Sequence, residues 1–266
     1  MRKNPYKGKF TRPSFITLGD SLRKSFRKED FCSRGGSFDK KMGWLIVFEG
    51  LDGSGLSTQT KLLGDYLKVG GHGVILTKEP TMDSEAGRQI RTILDKKIKT
   101  EPAEIQKLFV RDRKEHLENL IIPALEKGKV VISDRYFFST FAFGAVDSDL
   151  EWLIGLNKDF LLPDLTIFLL VRPETCIERI IKRGDGIKLF EKLPTLERVY
   201  ENYKIIAERF SIQDGSASSG KNVCVINGEG SVEEVFEEIK NKISKLFKSS
   251  PILSAVLQRG SGWIFS

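Results

Sequence analysis

Cysteine and histidine are scarce in this chain of 266 residues, which has three cysteines and two histidines. The cysteines, Cys32, Cys176 and Cys224, are odd in number and lie far apart in the sequence. They argue against a disulfide framework and indicate reduced thiols in a reducing compartment, so we expect a cytoplasmic location. With only His72 and His116 and no closely spaced cysteine pair, a zinc site is not expected either.

Long hydrophobic runs are lacking as well. The best candidate for a membrane span is interrupted by Pro163 and Asp164. No stretch therefore reaches the roughly 20 apolar residues that cross a bilayer as a helix, and no membrane partner is expected. With 40% hydrophobic and 30% charged residues, the composition is typical of a globular domain.

The net positive charge is confined to one end of the chain. The formal net charge is +7, yet residues 1–41 alone carry twelve Lys and Arg against four Asp and Glu, which leaves the remainder close to neutral. A nucleic-acid-binding face on the core is therefore not expected, and only the N-terminal arm is a candidate for such contacts. Its composition favours a disordered extension, with a transit peptide and a mis-assigned start codon as open alternatives.

Strand and helix patterns alternate from Met42 onward. Apolar, β-prone runs occur at Trp44–Glu49, Val74–Lys78, Val130–Ser133, Leu165–Val171 and Val223–Ile226. Helical patterns follow the first run and occur at Ser84–Leu94, Ala103–Glu126, Pro173–Arg183, Leu196–Phe210 and Val232–Phe247. This order predicts a parallel sheet covered by helices on both faces, with ligands beyond the carboxyl ends of the strands. We expect one domain over residues 42–248 and a tail of open role over residues 249–266.

The most informative motif is a glycine-rich loop that lacks a lysine. It reads Gly50-Leu51-Asp52-Gly53-Ser54-Gly55-Leu56-Ser57-Thr58 and joins the first strand to the first helix. Glycines let the backbone approach a ligand, and the N–H groups at a helix N-terminus hold an anion. The usual pattern G-x-x-x-x-G-K-[ST] has lysine where this chain has leucine. The loop therefore predicts nucleotide phosphate binding, although one of the usual cations is missing. The predicted phosphate contacts are Gly50, Gly53, Ser54, Gly55, Ser57 and Thr58.

The third strand ends in Asp134-Arg135-Tyr136. A carboxylate at this place, downstream of a phosphate loop, is typical of a Mg²⁺ site that it shares with the loop hydroxyl, here Ser57. Arg135 offers a planar guanidinium that binds phosphate through paired hydrogen bonds. The alternative, a plain charged residue where a strand enters a loop, is disfavoured by the nearby glycine loop.

Five segments in this order resemble the thymidylate kinases, nucleoside-monophosphate kinases that transfer a phosphoryl group from ATP to dTMP. They are the run from Phe48 to Gln59, Lys78-Glu79-Pro80-Thr81, Leu108 to Arg113, Asp134 to Phe143, and Leu162-Pro163-Asp164-Leu165. The resemblance implies a three-layer α/β P-loop NTPase fold with a five-stranded parallel sheet of order 2-3-1-4-5. It also implies ATP with Mg²⁺, dTMP as the acceptor and a homodimer.

The resemblance further assigns an acceptor site. Phe109 and Arg113 are four residues apart, so a helix presents both on one face, where the family stacks on thymine and hydrogen-bonds to its edge. Asp52 matches the acid near the sugar 3′-hydroxyl, Lys78 matches a cation that faces the monophosphate, and Phe143 matches an aromatic residue against the deoxyribose. Taken alone, Phe109 and Arg113 also fit a core phenylalanine beside a solvated arginine. Asp52 also fits an ordinary turn residue, and Phe143 also fits a core residue.

The segment Lys182–Lys192 resembles the mobile lid of these kinases. Its glycines permit hinge motion, and its basic residues can close over a transferring phosphate. Because the glycine loop offers no cation, the resemblance implies that the lid supplies it, with Arg183 first and with Lys188 and Lys192 as further phosphate contacts. A solvated basic loop is the alternative.

Three functions stay open on the sequence alone. The first is a thymidylate kinase in which Asp134, Arg135 and Arg183 carry catalysis and the arginines replace the loop lysine. The second is a nucleotide-binding pseudoenzyme, which the retention of Phe109 and Arg113 beside the catalytic residues disfavours. The third is a kinase for another pyrimidine monophosphate such as dUMP, since these residues indicate a pyrimidine without specifying which.

Overall fold

The computed structural model describes residues 43–184, 192–211 and 223–247, with side chains through residue 244. The strands are β1 (Trp44–Gly50), β2 (Val74–Lys78), β3 (Val130–Asp134), β4 (Leu165–Leu170) and β5 (Val223–Asn227). The helices are α1 (Leu56–Val69), α2 (Glu85–Leu94), α3 (Pro102–His116), α4 (Ile122–Glu126), α5 (Phe137–Gly144), α6 (Leu150–Asn157), α7 (Pro173–Arg183), α8 (Leu193–Ser211) and α9 (Val232–Phe247). The basic arm, the C-terminal tail and residues 185–191 of the predicted lid lie outside these ranges.

The sheet is parallel and has the order β2-β3-β1-β4-β5, which confirms the predicted topology. Side chains of β1 alternate between its faces, as the two-residue period of a strand requires. Leu45 and Val47 enter one core cluster, whereas Ile46 and Phe48 enter the other. Because both faces are covered, the strand is a continuous apolar run.

Helices form the two outer layers. On one face, α1 and α9 pack against the sheet through Leu63, Leu67, Ile239 and Ile243. The opposite face carries a larger cluster to which α5, α7 and α8 contribute, including the aromatic side chains of α5. None of the helices in the described ranges is long and apolar enough to cross a membrane.

The helix expected over Ala103–Glu126 is divided in the structure. α3 ends at His116, a π-helical turn covers Leu117–Ile121, and α4 follows. Pro123 stands in the first turn of α4 and has no N–H to donate to the carbonyl of Asn119, so an unbroken α-helical ladder cannot form there.

Two helices, α5 and α6, have no counterpart among the sequence predictions. Six of the eight residues of α5 are buried, so it has no polar face from which a 3.6-residue period is read. α6 begins after Asp149, whose side chain accepts a hydrogen bond from the N–H of Trp152. That aspartate is a helix-start signal present in the sequence.

Candidate active site

A cleft opens at the carboxyl ends of the central strands, where ligands bind in sheets of this kind. Seven residues predicted from the sequence line it, namely Asp52, Lys78, Phe109, Arg113, Arg135, Phe143 and Arg183. The other lining residues are Glu79, Pro80, Arg91, Leu94, Gln106, Tyr136, Ser139 and Thr140. The fold thus gathers one set of cationic, aromatic and hydroxyl groups from distant parts of the chain.

The glycine-rich loop adopts a backbone that other residues reach only with strain. Gly53 and Gly55 have φ angles of 84° and 97°, in the left-handed region that favours glycine. A Cβ at Gly53 would lie 2.5 Å from the carbonyl oxygen of Cys176, so a side chain does not fit. Gly55 is the N-cap of α1 and supplies no side-chain hydrogen bond to the first turn. The first N–H groups of α1 are therefore suited to an anion.

The other predicted phosphate contacts belong to the same turn. Gly50 ends β1, and a Cβ there would lie 2.6 Å from the carbonyl oxygen of Leu169. Ser54 is buried, and its Oγ has no hydrogen-bond partner within the described residues. Thr58 is exposed in the first turn of α1.

Leu56 lies in the core and not in the cleft. Its side chain is 5% exposed and joins the apolar cluster between the sheet and α9. The leucine therefore contributes to packing beneath the loop, and it gives the loop no charge.

Ser57, Asp134 and Lys78 meet beside the cleft, and of the three only Lys78 is among its lining residues. Ser57 Oγ donates a 2.5 Å hydrogen bond to Asp134 Oδ2, and Lys78 Nζ donates to the same oxygen over 2.9 Å. The second carboxylate oxygen, Oδ1, is buried without a partner in the described part of the chain. A hydroxyl beside a carboxylate with an unsatisfied oxygen is a donor set that fits Mg²⁺.

Arg135 is fixed between the loop and α5. Its φ of 77° is a strained conformation for a residue other than glycine, of the kind that clusters at functional sites. Nη1 donates to the carbonyl of Gly50 over 2.7 Å and to Ser139 Oγ over 3.0 Å. Nη2 donates to Asp52 Oδ1 over 2.8 Å. Burial is the largest single effect and disfavours the charge, but Asp52, Tyr203, Asp134 and Glu49 together outweigh it and raise the pKa of Arg135.

Glu49 is a buried carboxylate beneath Arg135 that the sequence predictions omit. It accepts hydrogen bonds from the N–H of Tyr136 (2.8 Å), Ser139 Oγ (2.5 Å) and the Tyr203 hydroxyl (3.0 Å). Burial raises the pKa of Glu49 to about 7, although these hydrogen bonds and Arg135 oppose the shift. Ser139 and Tyr203 also accept from Arg135 Nη1. Glu49 therefore anchors the two hydroxyls that orient the arginine.

Phe109 and Arg113 both line the cleft from α3, as their spacing predicts. The alternative of a solvated Arg113 is wrong, because this residue is 1% exposed. Its guanidinium donates to Glu79 Oε2 over 2.8 Å, to Thr140 Oγ1 over 3.1 Å and to Asn157 Oδ1 over 2.5 Å. Nη2 also lies 2.8 Å from Glu79 Oε2, so the guanidinium is held in a fixed orientation.

Aromatic and polar groups complete this part of the cleft. The ring of Phe143 lies 5.1 Å from the guanidinium carbon of Arg135, so it is a cleft residue as well as a packing residue. Gln106 and Arg91, absent from the sequence predictions, also line the cleft. Gln106 Oε1 and Arg91 Nε are buried without partners among the described residues, which indicates groups that a ligand or water satisfies. The helical spacing of Gln106 and Phe109 is a signal that could have identified the glutamine.

The lid prediction is only partly covered by the structure. Arg183 is the last residue of α7 and lines the cleft. Gly184 caps the helix with a φ of 82°. Lys192 is exposed just before α8 and is not among the lining residues. Lys188 lies outside the described residues.

A parallel sheet of this order, with a glycine-rich loop between its central strand and first helix, defines the class of P-loop kinases. A family profile described as thymidylate kinase matches residues 48–239, which is most of the chain. The chain therefore belongs to the thymidylate kinase family.

Individual relatives agree with that assignment. The chain is 42% identical over 204 residues to a probable thymidylate kinase of Pyrococcus abyssi, an alignment that covers 74% of this chain and 94% of that protein. A probable thymidylate kinase of Thermococcus gammatolerans is 41% identical over 210 residues, with coverage of 74% and 94%. The thymidylate kinase of Caldicellulosiruptor saccharolyticus is 37% identical over 213 residues, with coverage of 77% and 98%.

Proposed function

We propose that this protein transfers a phosphoryl group from ATP to dTMP, giving ADP and dTDP. The observation that carries the proposal is the position of Arg135, whose guanidinium bonds both the Gly50 carbonyl and Asp52 in the phosphate loop and lines the acceptor cleft. A cation fixed at this junction is suited to the charge that develops as a phosphoryl group passes between donor and acceptor.

The acceptor binds in the cleft on the α3 side. Its base stacks on the ring of Phe109 and accepts a hydrogen bond from Arg113, which Glu79 holds in place before the ligand arrives. Phe143 packs against the deoxyribose, and Asp52 approaches the 3′-hydroxyl. All of these residues line one cleft, which supports their acting on one nucleotide.

The donor phosphates bind to N–H groups of the loop at the N-terminus of α1. Ser57 and Asp134 would hold Mg²⁺, which would neutralise phosphate charge when bound. Among the described residues, Asp134 Oδ1 is buried without a hydrogen-bond partner, which supports this assignment. The hydroxyl and the carboxylate already lie next to each other, joined by a hydrogen bond that the ion would replace.

Arg135 and Arg183 replace the loop lysine in this proposal. Loss of a charge-assisted contact costs about 2–4 kcal/mol in the transition state, or roughly 30- to 1000-fold in rate. The loop cannot make that contact because Leu56 carries no charge, whereas both arginines line the cleft. Arg183 directly precedes Gly184, whose left-handed backbone ends α7, so it stands at the start of the proposed lid.

The test is ADP formation by the full-length chain with ATP, Mg²⁺ and each of dTMP, dUMP, dCMP and dGMP. We expect the highest kcat/KM with dTMP, and about 100-fold less activity in Asp134→Asn, a variant of equal size without the charge. No turnover with any acceptor, although ATP and dTMP bind, would overturn the proposal in favour of a pseudoenzyme. A higher kcat/KM with dUMP would reassign the acceptor.

We also propose that residues 42–248 form the catalytic domain and that two copies assemble as a homodimer. The family match over residues 48–239 supports the domain bounds, and resemblance to the family supports the dimer. Light scattering of the full-length chain should give the mass of two chains, and a single-chain mass at micromolar concentration would contradict the dimer.

A further inference from the structure

Lys78 contacts the two side chains that we assign to Mg²⁺, Ser57 and Asp134. It ends β2 directly opposite Asp134 in the strand register. Its Nζ lies 2.9 Å from Asp134 Oδ2 and 3.4 Å from Ser57 Oγ. The lysine ammonium therefore holds the position of a cation at this corner of the cleft.

A metal ion bound by Ser57 and Asp134 would compete with this ammonium for the Ser57 hydroxyl and for the charge of one carboxylate. Mg²⁺ requires its ligands at about 2.0–2.1 Å in an octahedral arrangement, and the Asp134 side chain is only 5% exposed. Two positive charges at one poorly solvated carboxylate repel each other strongly. Binding of the metal consequently requires Lys78 to leave.

Lys78 has room to move and a destination of opposite charge. Its side chain is 49% exposed, and a lysine carries its charge on a flexible stem. It lines the same cleft as Asp52, Phe109 and Arg135. Once released from Asp134, its ammonium can pair with the phosphate of a monophosphate bound there.

We propose that Lys78 is a positioning residue that couples the two substrates. It rests on Ser57 and Asp134 before the metal–nucleotide complex binds, and it moves to the acceptor phosphate when a second cation would share these side chains. This inference depends on the proposed function, because it requires a metal–nucleotide site and an acceptor site. Since linkage is reciprocal, each substrate then tightens the binding of the other by the same factor.

The test measures binding of Mn²⁺ to the full-length protein in the presence of ADP, by the electron paramagnetic resonance of free Mn²⁺, with and without saturating dTMP. The variants are Lys78→Met, which removes the charge, and Lys78→Arg, which keeps it. Lys68→Met is the matched control, because Lys68 is also 49% exposed and paired with an aspartate, Asp65, but on the far end of α1.

For the wild type, dTMP should tighten Mn²⁺·ADP binding by about fivefold or more, within the range of ordinary allosteric coupling. Lys78→Met should bind Mn²⁺·ADP more tightly than the wild type without dTMP, and dTMP should change that affinity by less than about twofold. Lys78→Arg and Lys68→Met should keep the coupling.

Two results would overturn the inference, each for a different reason. If Lys78→Met retains the full effect of dTMP, direct attraction between metal and phosphate explains the coupling and the inference is overturned. If neither Mn²⁺·ADP nor dTMP binds to any of these proteins, the proposed function fails first, and the role of Lys78 fails with it.

Discussion

Glu79 and Arg113 form an ion pair buried behind the proposed base site. Glu79 Oε2 lies 2.8 Å from Arg113, and the two side chains are 3% and 1% exposed. His116 contacts the other carboxylate oxygen over 3.1 Å. Because Arg113 also lines the cleft, the same pair supports the fold and orients a group that we assign to base recognition.

Removing one partner of this pair should destabilise the protein. Glu79→Gln keeps the shape of the side chain but leaves the Arg113 charge buried and uncompensated. We expect the free energy of unfolding to fall by about 3–5 kcal/mol, as for broken buried pairs. Urea denaturation measures the change.

The control for this prediction is Glu151→Gln. Glu151 pairs with Arg209, but these side chains are 43% and 27% exposed, so the loss should be below about 1 kcal/mol. Equal losses in free energy of unfolding would show that the buried Glu79–Arg113 pair stabilises the fold no more than the exposed Glu151–Arg209 pair does.

Restoring lysine to the loop should make Arg183 less important. In Leu56→Lys the longer side chain should carry its ammonium out of the apolar cluster towards the loop, so adding Arg183→Ala should lower kcat by less than about threefold, against at least about tenfold in the wild-type background. Steady-state kinetics of the four proteins give the coupling. Leu56→Met, which keeps an apolar side chain of similar volume in the core, should leave the full Arg183→Ala effect in place.

Glu49 should make stability depend on pH. Its pKa rises from 4.5 to about 7 on folding, so below pH 4.5 both states hold the proton and the folded state has its full stability from this group. As the pH rises from 4.5 to about 7, the unfolded state releases this proton while the folded state still holds it, so the free energy of unfolding falls by an amount on the order of 3 kcal/mol and then levels off.

Urea titrations at pH 5 and pH 8 test this dependence. Glu49→Gln cannot ionise, so it should lose clearly less stability between the two pH values than the wild type does. Tyr203 should not contribute, because burial raises the pKa of its hydroxyl well above the ordinary value. Parallel curves for the two proteins would refute the role of Glu49.

The fold was predictable because its main signals are local. The apolar run of β1, the glycine turn and the helical spacing of Leu63 and Leu67 lie within a short stretch of sequence, and the alternation of elements specifies a parallel sheet. α5 escaped prediction because it is buried on most sides and has no polar period.

The candidate site was predictable in its members but not in their contacts. Periodicity pairs Phe109 with Arg113, yet it does not reveal that Glu79, 34 residues earlier, neutralises the arginine. Similarly, an acid near the end of an apolar strand gives no sign that Glu49 is fully buried beneath Arg135. Such contacts depend on packing between distant elements, which a local pattern does not encode.

The most direct test of this account is the rate of ADP formation from ATP and dTMP by the wild-type chain and by Arg183→Ala. We expect turnover by the wild type despite Leu56, and a kcat at least about tenfold lower in Arg183→Ala, because a charge-assisted contact to the transferring phosphate is lost. Arg111→Ala, which removes a 58% exposed arginine from α3, should stay within about twofold of the wild type. A loss in Arg183→Ala smaller than tenfold would contradict the claim that this arginine replaces the loop lysine.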